Sequence, residues 1–274
     1  MNNLDAGVIR RTLDEATVAR LGELEIFAEI DSTNSYLMQQ PGPSIGRIRV
    51  AATDNQTAGR GRHGRTWQSP PGSGLCLSMA YTFALHPTNL PAVTLAVGLG
   101  VIEMLQTIRV TGVQLKWPND LIAADGKLGG ILTEVLAQAG DAVTVVTGIG
   151  LNIDLDGQPD LSLETAGAMP AVDLKGHVAE LPDWNQVAAR LVSGLSRTFA
   201  EFEAGGFAQF RGQWLEHDWL FGREVIIDTP RRQISGVGCG IADDGALLVD
   251  TPSEGRHRVT SGSIVMASTM ENAS

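Results

Sequence analysis

The pattern of apolar and polar positions predicts helices and strands that alternate along most of the chain. Strands are expected where apolar residues alternate with smaller or polar ones, or where β-branched residues cluster. The predicted strands of this part cover residues 24–30, 47–53, 74–83, 113–124, 127–134 and 142–153. Helices are expected where apolar residues recur every three or four positions behind a capping residue. The predicted helices cover residues 12–22, 31–40, 89–108, 183–203 and 207–217.

Local signals indicate the ends of several elements. Thr12 and Glu15 have the spacing of a capping box, and Asp183 has the position of another helix cap. The strand over residues 74–83 alternates large and small residues, which predicts that it is half-buried. Residues 155–182 are rich in Gly, Pro and Asp without clear periodicity, which predicts a mobile loop.

A predicted hairpin brings polar residues together in the middle of the chain. Residues 125–126, Asp-Gly, have the composition of a type I′ turn. The returning strand should carry Lys127 back toward Asn119 and Asp120. Glycines at 129–130 weaken this strand, so they indicate either close approach of a ligand or a β-bulge.

The pattern changes to short strands after Gly222. These predicted strands cover residues 224–228, 233–241, 246–249 and 257–260, with a turn at 243–245. The change predicts a small β-barrel and marks a domain boundary. We therefore expect a helical extension at residues 1–23, a large domain at 24–218, and the barrel with its tail at 219–274.

Composition limits the classes of protein to which the chain can belong. Its 274 residues are 43% apolar and carry a formal net charge of −11, with a pI near 4.9. This charge argues against the broad basic face used in non-specific nucleic-acid binding. Cys76 and Cys239 lack metal-ligand spacing, so a reduced, cytoplasmic compartment is expected. No secretory signal is predicted, because the N-terminal residues 1–5 show no basic region followed by an apolar run. No membrane span is predicted, because the apolar run at 92–105 is short and contains Glu103.

A loop rich in arginine and glycine, residues 56–67, is the strongest candidate for a binding site. This arginine loop carries Arg60, Arg62 and Arg65, and no Asp or Glu occurs over residues 55–102. Glycine lets a ligand approach backbone N–H groups, and arginine adds a planar fork of donors. The loop therefore predicts a site for a phosphate or carboxylate. A surface loop that is basic by chance is the alternative.

The glycines of the arginine loop also have the spacing of a dinucleotide-binding turn. That fingerprint requires a helix that opens at the last glycine and an acidic residue about 20 positions later. Residues 69–72 read Ser-Pro-Pro-Gly instead, and no acidic residue follows before Glu103. We therefore reject a dinucleotide-binding fold.

Lysine is rare in this chain, and its positions add to the candidate site. Of the 20 basic residues (Lys and Arg), three are lysines, namely Lys116, Lys127 and Lys175. Two of these fall in the hairpin segment. An ammonium suits a point contact with a phosphate or a developing anion, although chance placement is the alternative.

Five segments, taken together and in this order, resemble motifs of the biotin protein ligase family. They are Asp-Ser-Thr-Asn at 31–34, the glycine-arginine run at 56–64, Lys-Trp-Pro-Asn-Asp at 116–120, Lys-Leu-Gly-Gly-Ile-Leu at 127–132 and Gly-Ile-Gly-Leu-Asn at 148–152. The resemblance extends from about residue 24 to the C-terminus. It implies an α+β fold: a mixed β-sheet with helices packed on it, as in class II aminoacyl-tRNA synthetases, and a C-terminal SH3-like β-barrel.

The resemblance also implies an ATP-dependent ligase. Such enzymes join biotin to ATP as biotinyl-5′-AMP and transfer the biotinyl group to a lysine of the biotin carboxyl carrier protein of acetyl-CoA carboxylase. Biotin, ATP and Mg²⁺ are the ligands implied. Because about 23 residues precede the large domain, we expect no helix-turn-helix domain and no DNA binding of the kind that regulatory members show. A monomer or a homodimer is expected, with no membrane partner.

The same resemblance assigns residues to the parts of the site. The catalytic residues would be Lys127, Arg60 and Arg62. Biotin would contact Ser32, Thr33, Asn34, Gln56, Gly59, Arg60, Gly61, Arg62, Lys127, Gly130 and Gly148. ATP and the adenylate would contact Arg60, Arg65, Trp67, Asn119, Lys127 and Asn152, and the metal would contact Asp120.

Two other functions fit parts of the same pattern. A lipoate or octanoate protein ligase or transferase shares the implied catalytic fold, but the arginine loop together with residues 116–120 favours biotin. A non-catalytic biotin sensor would bind biotin without releasing pyrophosphate, and the intact Lys127 and loop arginines argue against it. In the ligase, we expect the arginine loop to be mobile when empty and to close over biotinyl-AMP, which keeps water from the mixed anhydride.

Overall fold

A seven-stranded sheet forms the centre of the larger part of the molecule. The computed structural model describes residues 4–84, 89–156, 169–230 and 232–266, without the side chains of residues 265–266. The strands of this central sheet are β1 Leu21–Ile26, β2 Ile48–Thr53, β3 Gly74–Phe83, β4 Gln114–Lys116, β5 Asp120–Ala123, β6 Gly126–Ala139 and β7 Ala142–Asn152. Their order in space is β1-β2-β3-β7-β6-β5-β4. The β1–β2 pair is parallel and the other pairs are antiparallel, which makes the sheet mixed, as predicted.

Helices cover this sheet. They are α1 Ala6–Thr12, α2 Glu15–Arg20, α3 Thr33–Met38, α4 Val93–Thr107, α5 Trp184–Gly205 and α6 Arg211–His217. Short 3₁₀ turns lie at Arg62–Gly64, Leu90–Ala92, Lys175–His177 and Phe207–Phe210. The core helix α4 is apolar and buried along most of its length, where it packs against α5 and β6. Gly100 permits this close packing, because a Cβ there would fall 2.2 Å from Thr198 Oγ1.

A second, five-stranded antiparallel sheet follows, consistent with a small SH3-like domain. Its strands are β8 Glu224–Asp228, β9 Gln233–Ile241, β10 Leu247–Thr251, β11 Gly255–Val259 and β12 Ser263–Met266, in the spatial order β11-β10-β9-β8-β12. The bounds of β8 and β9 agree with the prediction. Strand β12 was not predicted, because four residues carry too little alternation and its pairing with β8 is a long-range contact.

The predicted start of the first helix is wrong. Thr12 does not open a helix: it ends α1, where its hydroxyl donates to Val8 O. Asp14 caps α2 instead, since its carboxylate accepts a hydrogen bond from Thr17 N. Asp and Thr are both good capping residues, so the local pattern could not distinguish the two positions.

Three strand predictions also need correction. The first strand spans Leu21–Ile26 rather than residues 24–30, because β1 pairs with β2 from Leu21 onward. Strand β3 is buried on both faces rather than half-buried, since α3 and α5 both pack against it. The hairpin turn consists of Ala124 and Asp125, which have φ values of 45° and 58°, one residue earlier than predicted.

The predicted loop over residues 155–182 lies partly outside the described residues, which resume at Met169. Residues 170–172 of this segment lie alongside the returning strand of the hairpin. Lys127 N donates to Pro170 O at 2.7 Å, and Val172 N donates to Lys127 O at 3.1 Å. These backbone hydrogen bonds join the segment to the start of β6.

One described stretch, Leu90–Thr107, is long and apolar enough to cross a membrane by length and composition, with a mean hydropathy of 1.5. Of this stretch, 67% is buried inside the protein. A core helix of this kind passes the same test, so the packing of α4 accounts for its apolar composition.

Candidate functional site

A cavity of about 550 Å³ opens where the central sheet, the arginine loop, the hairpin and the second sheet meet. Its lining contains nearly all the residues that the sequence motifs assign to a site. These are Ser32, Thr33, Asn34, Gln56, Arg60, Gly61, Arg62, Arg65, Trp67, Asn119, Asp120, Lys127, Gly130, Gly148 and Asn152. Gly59 is not among the lining residues. A Cβ on Gly59 would fall 2.3 Å from Trp67 O, so this glycine lets the loop fold back on itself.

Buried polar side chains form one end of the cavity. Ser32 caps α3, and Thr33 N donates to Gln56 Oε1 at 2.8 Å. Thr33 Oγ1 lies 2.7 Å from Ser78 Oγ, which in turn donates to Asn34 Oδ1 at 2.7 Å. Ser32, Thr33, Asn34 and Ser78 are all buried. This end therefore presents neutral donors and acceptors in fixed positions.

The same polar network continues to an acidic residue on β6. Asn34 Nδ2 donates to Leu132 O at 3.2 Å and to Glu134 Oε2 at 3.0 Å. Gly148 makes room for this amide, since a Cβ there would fall 2.3 Å from Asn34 Oδ1. Glu134 also accepts two hydrogen bonds from the Arg60 guanidinium, at 2.7 and 3.2 Å. The network thereby reaches the arginine loop.

Cationic side chains gather around Asp120 at another part of the cavity. Lys127 Nζ forms an ion pair with Asp120 Oδ1 at 2.8 Å. Burial lowers the pKa of Arg62, and nearby Arg65 lowers it further while Asp120 opposes the change. Burial also lowers the pKa of Lys116, with Lys127 and Arg65 adding to the effect and Asp120 opposing it. Lys127, Arg62 and Lys116 thus share one carboxylate, with Arg65 nearby, which leaves surplus positive charge for an anionic ligand.

Trp67, the last residue of the arginine loop, lies against the central sheet. Lys127 Nζ is 5.7 Å from the centroid of its ring, within the range of a cation–π contact. Next to the ring, burial raises the pKa of the Cys76 thiol to about 11. A thiol with this pKa stays protonated at neutral pH, which makes it a weak nucleophile.

A β-bulge lies beside the glycines of β6. The pairing of β5 with β6 shifts register between Leu121 and Ile122, opposite Gly129 and Lys127, so the extra residue is Leu128 rather than a glycine. Gly130 lines the cavity, where its Cα faces the Trp67 ring. Close approach of a ligand to these glycines stays a prediction.

Asn119 and Asn152 bind backbone segments of the hairpin. Asn119 Nδ2 donates to Ile131 O at 2.9 Å, and Ile131 N returns a hydrogen bond to Asn119 O at 2.9 Å. Asn152 Nδ2 donates to Lys127 O at 3.1 Å and to Val172 O at 3.0 Å. Both hydrogens of the Asn152 amide are used in this way, so a ligand would meet its carbonyl oxygen.

The second sheet completes the wall of the cavity. Residues 262–264 are part of its lining, and Arg65 Nη2 donates to Ser263 Oγ at 3.0 Å. Trp117 Nε1 donates to Gly245 O at 3.0 Å, which ties the 116–120 motif to the same sheet. The two sheets therefore shape one site together.

Carboxylates that could hold a metal lie in two places among the described residues. Asp120 is the acidic residue of the cavity lining. Asp154, Asp156 and Asp173 place their ligand atoms within 4.8 Å of one another, outside that lining. Lys175 Nζ already pairs with two of these three, at 2.9 and 2.6 Å. Of these two places, Asp120 is the one beside the cavity cations.

Comparisons with known proteins agree with this geometry. Residues 26–152 match the model of the biotin/lipoate A/B protein ligase family, and residues 220–266 match that of the biotin protein ligase C-terminal domain. The bifunctional ligase/repressor BirA of Salmonella typhimurium is 34% identical over 257 residues, which cover 90% of this chain and 73% of that protein. This chain belongs to the biotin protein ligase family.

Further relatives support membership of this family. The biotin–[acetyl-CoA-carboxylase] ligase of Paracoccus denitrificans is 32% identical over 236 residues, which cover 83% of this chain and 94% of that protein. The structure of the biotin protein ligase from Aquifex aeolicus in complex with biotin and ATP has a TM-score of 0.70 at 29% identity. It covers 89% of this chain and 97% of the other. The predicted family and fold class are confirmed.

Several residues that line the cavity were not predicted from the sequence. They are Cys76, Ser78, Met169, Ala171 and residues 262–264. Ser78 carried a usable signal, because it is a polar residue in the middle of a strand of apolar residues. The others carried none, since they reach the cavity through contacts between distant segments.

Proposed function

We propose that this chain activates biotin with ATP to form biotinyl-5′-AMP and pyrophosphate, and then transfers the biotinyl group to a lysine of a carrier protein. The observation that carries the proposal is that neutral hydrogen-bonding groups and surplus cations line the same cavity. Biotin has matching parts, a neutral ureido ring and a carboxylate, and ATP brings phosphates to the cations. The names of the relatives agree with this chemistry.

Biotin binds with its ureido ring at the buried polar end of the cavity. Ser32, Thr33 and Gln56 supply donors and acceptors there. Thr33 is held by hydrogen bonds with Gln56 and Ser78, and Ser32 is held by the hydrogen bond that it accepts from Ser35 N. The valeryl chain runs over Gly130 and Gly148, and its carboxylate reaches the cations of the arginine loop. The remaining members of the biotin set, Asn34, Gly59 and Gly61, shape this path rather than react.

The adenylation step requires two anions to approach each other. An oxygen of the biotin carboxylate attacks the α-phosphorus of ATP, and the bond from that phosphorus to the bridging oxygen of pyrophosphate breaks with its electron pair. Arg60, Arg62 and Lys127 offset the charge of both reactants and of the crowded phosphorus between them. ATP supplies the activation, so no covalent enzyme nucleophile is needed.

The nucleotide lies along the cationic part of the cavity. Arg65 and Lys127 contact its phosphates, while Trp67, Asn119 and Asn152 contact the rest of the adenylate. In the transfer step, the neutral amine of the carrier lysine attacks the biotinyl carbonyl carbon. The bond from that carbon to the AMP oxygen then breaks, AMP leaves, and the amine proton passes to solvent.

Mg²⁺ enters this proposal together with ATP. Mg²⁺ is usually held by one or two carboxylates with substrate phosphates and waters. The chain fits this pattern, because Asp120 lies 2.8 Å from the Lys127 ammonium and so stands beside the expected phosphates. The ion would offset phosphate charge during adenylation.

The partner in the second step is the biotin carboxyl carrier protein of acetyl-CoA carboxylase. This assignment follows the ligases of Paracoccus denitrificans and Mycobacterium tuberculosis, whose names specify acetyl-CoA carboxylase. The protein acts in the cytoplasm, where its free cysteines Cys76 and Cys239 stay reduced. It acts as a monomer or homodimer, without DNA or a membrane as partner.

The decisive experiment incubates the protein with radiolabelled biotin, ATP, Mg²⁺ and the purified carrier domain. Label on the carrier together with pyrophosphate release is expected, and a carrier whose acceptor lysine is replaced by arginine should stay unlabelled. Tight biotin binding without pyrophosphate would instead indicate a sensor. Preferential use of lipoate or octanoate would indicate the related ligases, and sequence-specific DNA binding in a gel-shift assay would contradict the absence of a regulatory role.

A further inference from the structure

Glu134 connects the buried polar network to the arginine loop. Its carboxylate accepts a hydrogen bond from Asn34 at 3.0 Å and two from Arg60, at 2.7 and 3.2 Å. The side chains of Glu134 and Arg60 are 21% and 45% exposed, so the pair lies at the rim of the cavity rather than free in solvent. The carboxylate has no donor of its own, which makes it a fixed acceptor for both partners.

Asn34 lies across a row of residues on three neighbouring strands. Ser78 on β3 pairs with Gly148 on β7, and Gly148 pairs with Leu132 on β6. The Asn34 amide spans this row, with Oδ1 on Ser78 Oγ and Nδ2 on Leu132 O. Glu134 stands two residues further along β6, on the same face, and accepts the second hydrogen of this amide.

These contacts determine the direction of every proton in the network. The Asn34 nitrogen faces two groups that only accept, so its oxygen must face Ser78, and Ser78 must donate its single proton to that oxygen. Ser78 then accepts from Thr33 Oγ1 at 2.7 Å. Gln56 Oε1, at 3.1 Å, is the more distant acceptor for that same Thr33 proton. The Thr33 hydroxyl is thereby left with lone pairs to offer to a ligand.

Glu134 also accepts hydrogen bonds from a residue of the arginine loop. A short antiparallel bridge to Thr66 holds the backbone of Arg60, but the Arg60 side chain is 45% exposed and needs a partner to fix its direction. A two-point contact with a carboxylate restricts the guanidinium in both distance and plane. Glu134 thus orients the Thr33 hydroxyl at the buried polar end of the cavity and the Arg60 guanidinium in the arginine loop.

We propose that Glu134 is a positioning residue for biotin: its charge orders the Asn34, Ser78 and Thr33 hydrogen bonds and holds Arg60 for the biotin carboxylate. The proposal rests on the function proposed above. Replacement of the carboxylate by an amide leaves Leu132 O as the one acceptor that must face the Asn34 nitrogen, so the direction of the network is held less firmly. The loss should be larger in biotin binding, to which both contacts of Glu134 contribute, than in ATP binding, to which Arg60 alone contributes.

The test compares Glu134→Gln and Glu134→Ala with the wild type in biotin titrations, pyrophosphate release and thermal unfolding. Loss of charged hydrogen bonds should raise the Kd and KM for biotin about tenfold or more. The KM for ATP should change less than about threefold, in accord with a role on the biotin side. Glu134→Asp, which keeps the charge, should recover part of the biotin affinity.

Glu254→Gln is the matched control. Glu254 forms a similar two-point pair with Arg232, at 3.2 and 2.8 Å, and neither residue lines the cavity. This control should unfold at nearly the same temperature as Glu134→Gln and should keep the wild-type KM for biotin. Wild-type pyrophosphate release, measured first, separates failure of this proposal from failure of the proposed function.

Three results would overturn the proposal. One is a biotin Kd within twofold of wild type in both the Gln and Ala variants. Another is an equal rise in the KM values of biotin and ATP with a lowered unfolding temperature, which is the result of a purely structural role. The third is a full tenfold effect of Glu134→Gln in an Asn34→Ala and Arg60→Ala background, since Glu134 would then act through neither partner. If Glu134→Gln does not fold, the Asp variant decides by the same KM comparison.

Discussion

The indole ring of Trp67 lies directly against the Cα atom of Gly150. A Cβ on Gly150 would fall 2.3 Å from Trp67 Cε2, although real Cβ atoms essentially never come closer than 3.0 Å to another heavy atom. Gly130, which pairs with Gly150 across β6 and β7, leaves 3.4 Å to the same ring. The glycines thus form a flat support for an aromatic residue of the arginine loop.

Gly150→Ala should therefore displace Trp67 and impair adenylate synthesis while the protein stays folded. The added methyl group overlaps three ring atoms, and overpacking of this kind costs about 1–3 kcal/mol. Because Lys127 contacts the same ring, we expect pyrophosphate release to fall at least about tenfold. Pyrophosphate assays and urea unfolding measure the two effects separately.

Gly212→Ala is the control for that substitution. Gly212 lies in α6 and has no heavy atom within 4 Å of the position of an added Cβ. Alanine should raise the free energy of unfolding by up to about 1 kcal/mol, because it is the better helix former. Activity should not change. Wild-type activity in Gly150→Ala would show that the position of Trp67 does not matter for the reaction.

Lys127→Ala should abolish most adenylate synthesis and barely affect stability. The Lys127–Asp120 pair is partly exposed, at 34% and 25%, so its loss should cost no more than about 1 kcal/mol. Removal of a charge aimed at the reacting phosphate should cost about 10²–10³ in kcat. Lys175→Ala is the matched control, since Lys175 pairs with two carboxylates outside the cavity. Pyrophosphate release at the wild-type rate from Lys127→Ala would remove Lys127 from the mechanism.

The fold could be predicted where the sequence itself marks both ends of an element. Strands β3, β8 and β9 have the predicted bounds, because their apolar runs are bordered by glycine, proline or polar turns. Helix α1 was missed, since its burial depends on Ile9 packing in a core shared with α5. Strand β12 was missed for the same reason. Both elements are stabilised by partners that are distant in sequence.

The candidate site could be predicted as a set of residues but not as a set of contacts. The motifs named Thr33, Asn34 and Arg60 from local sequence, and all three line the cavity. Their partners Ser78 and Glu134 lie in β3 and β6, 44 and 100 residues from Asn34. Strand register brings these partners together, and no single stretch of sequence records that register.

Binding of biotin and ATP should protect the arginine loop from trypsin. Arg60 and Arg65 are exposed, and their positive charges favour closure of the loop over an anionic adenylate. We expect slower cleavage after residues 60, 62 and 65 when both substrates are present. Arg10 and Arg11 are exposed in α1 and provide an internal control whose cleavage should not change. Equal cleavage of the loop with and without substrates would contradict closure.

Lys116 should determine the alkaline limit of ATP use. Burial is the main cause that lowers its pKa from the ordinary value of 10.5, and the charges of Lys127 and Arg65 lower it further. If the Lys116 ammonium contacts phosphate, kcat/KM for ATP should fall as pH rises through a value below 10.5. Lys116→Arg keeps its charge at that pH, so its activity profile should extend to higher pH.

The contribution of Lys116 to the free energy of unfolding should rise with pH while activity falls. This difference separates deprotonation of Lys116 from alkaline unfolding of the protein. The folded protein holds the Lys116 proton less tightly than the unfolded chain, where the pKa is close to 10.5. Between these two pKa values the unfolded state binds more protons, so the contribution of Lys116 to the free energy of unfolding rises with pH. The stability of the wild type relative to Lys116→Arg should therefore increase over the same pH range in which its activity falls. Urea unfolding of both proteins across that range measures this difference, and a parallel fall of stability and activity would show that the alkaline limit reflects unfolding.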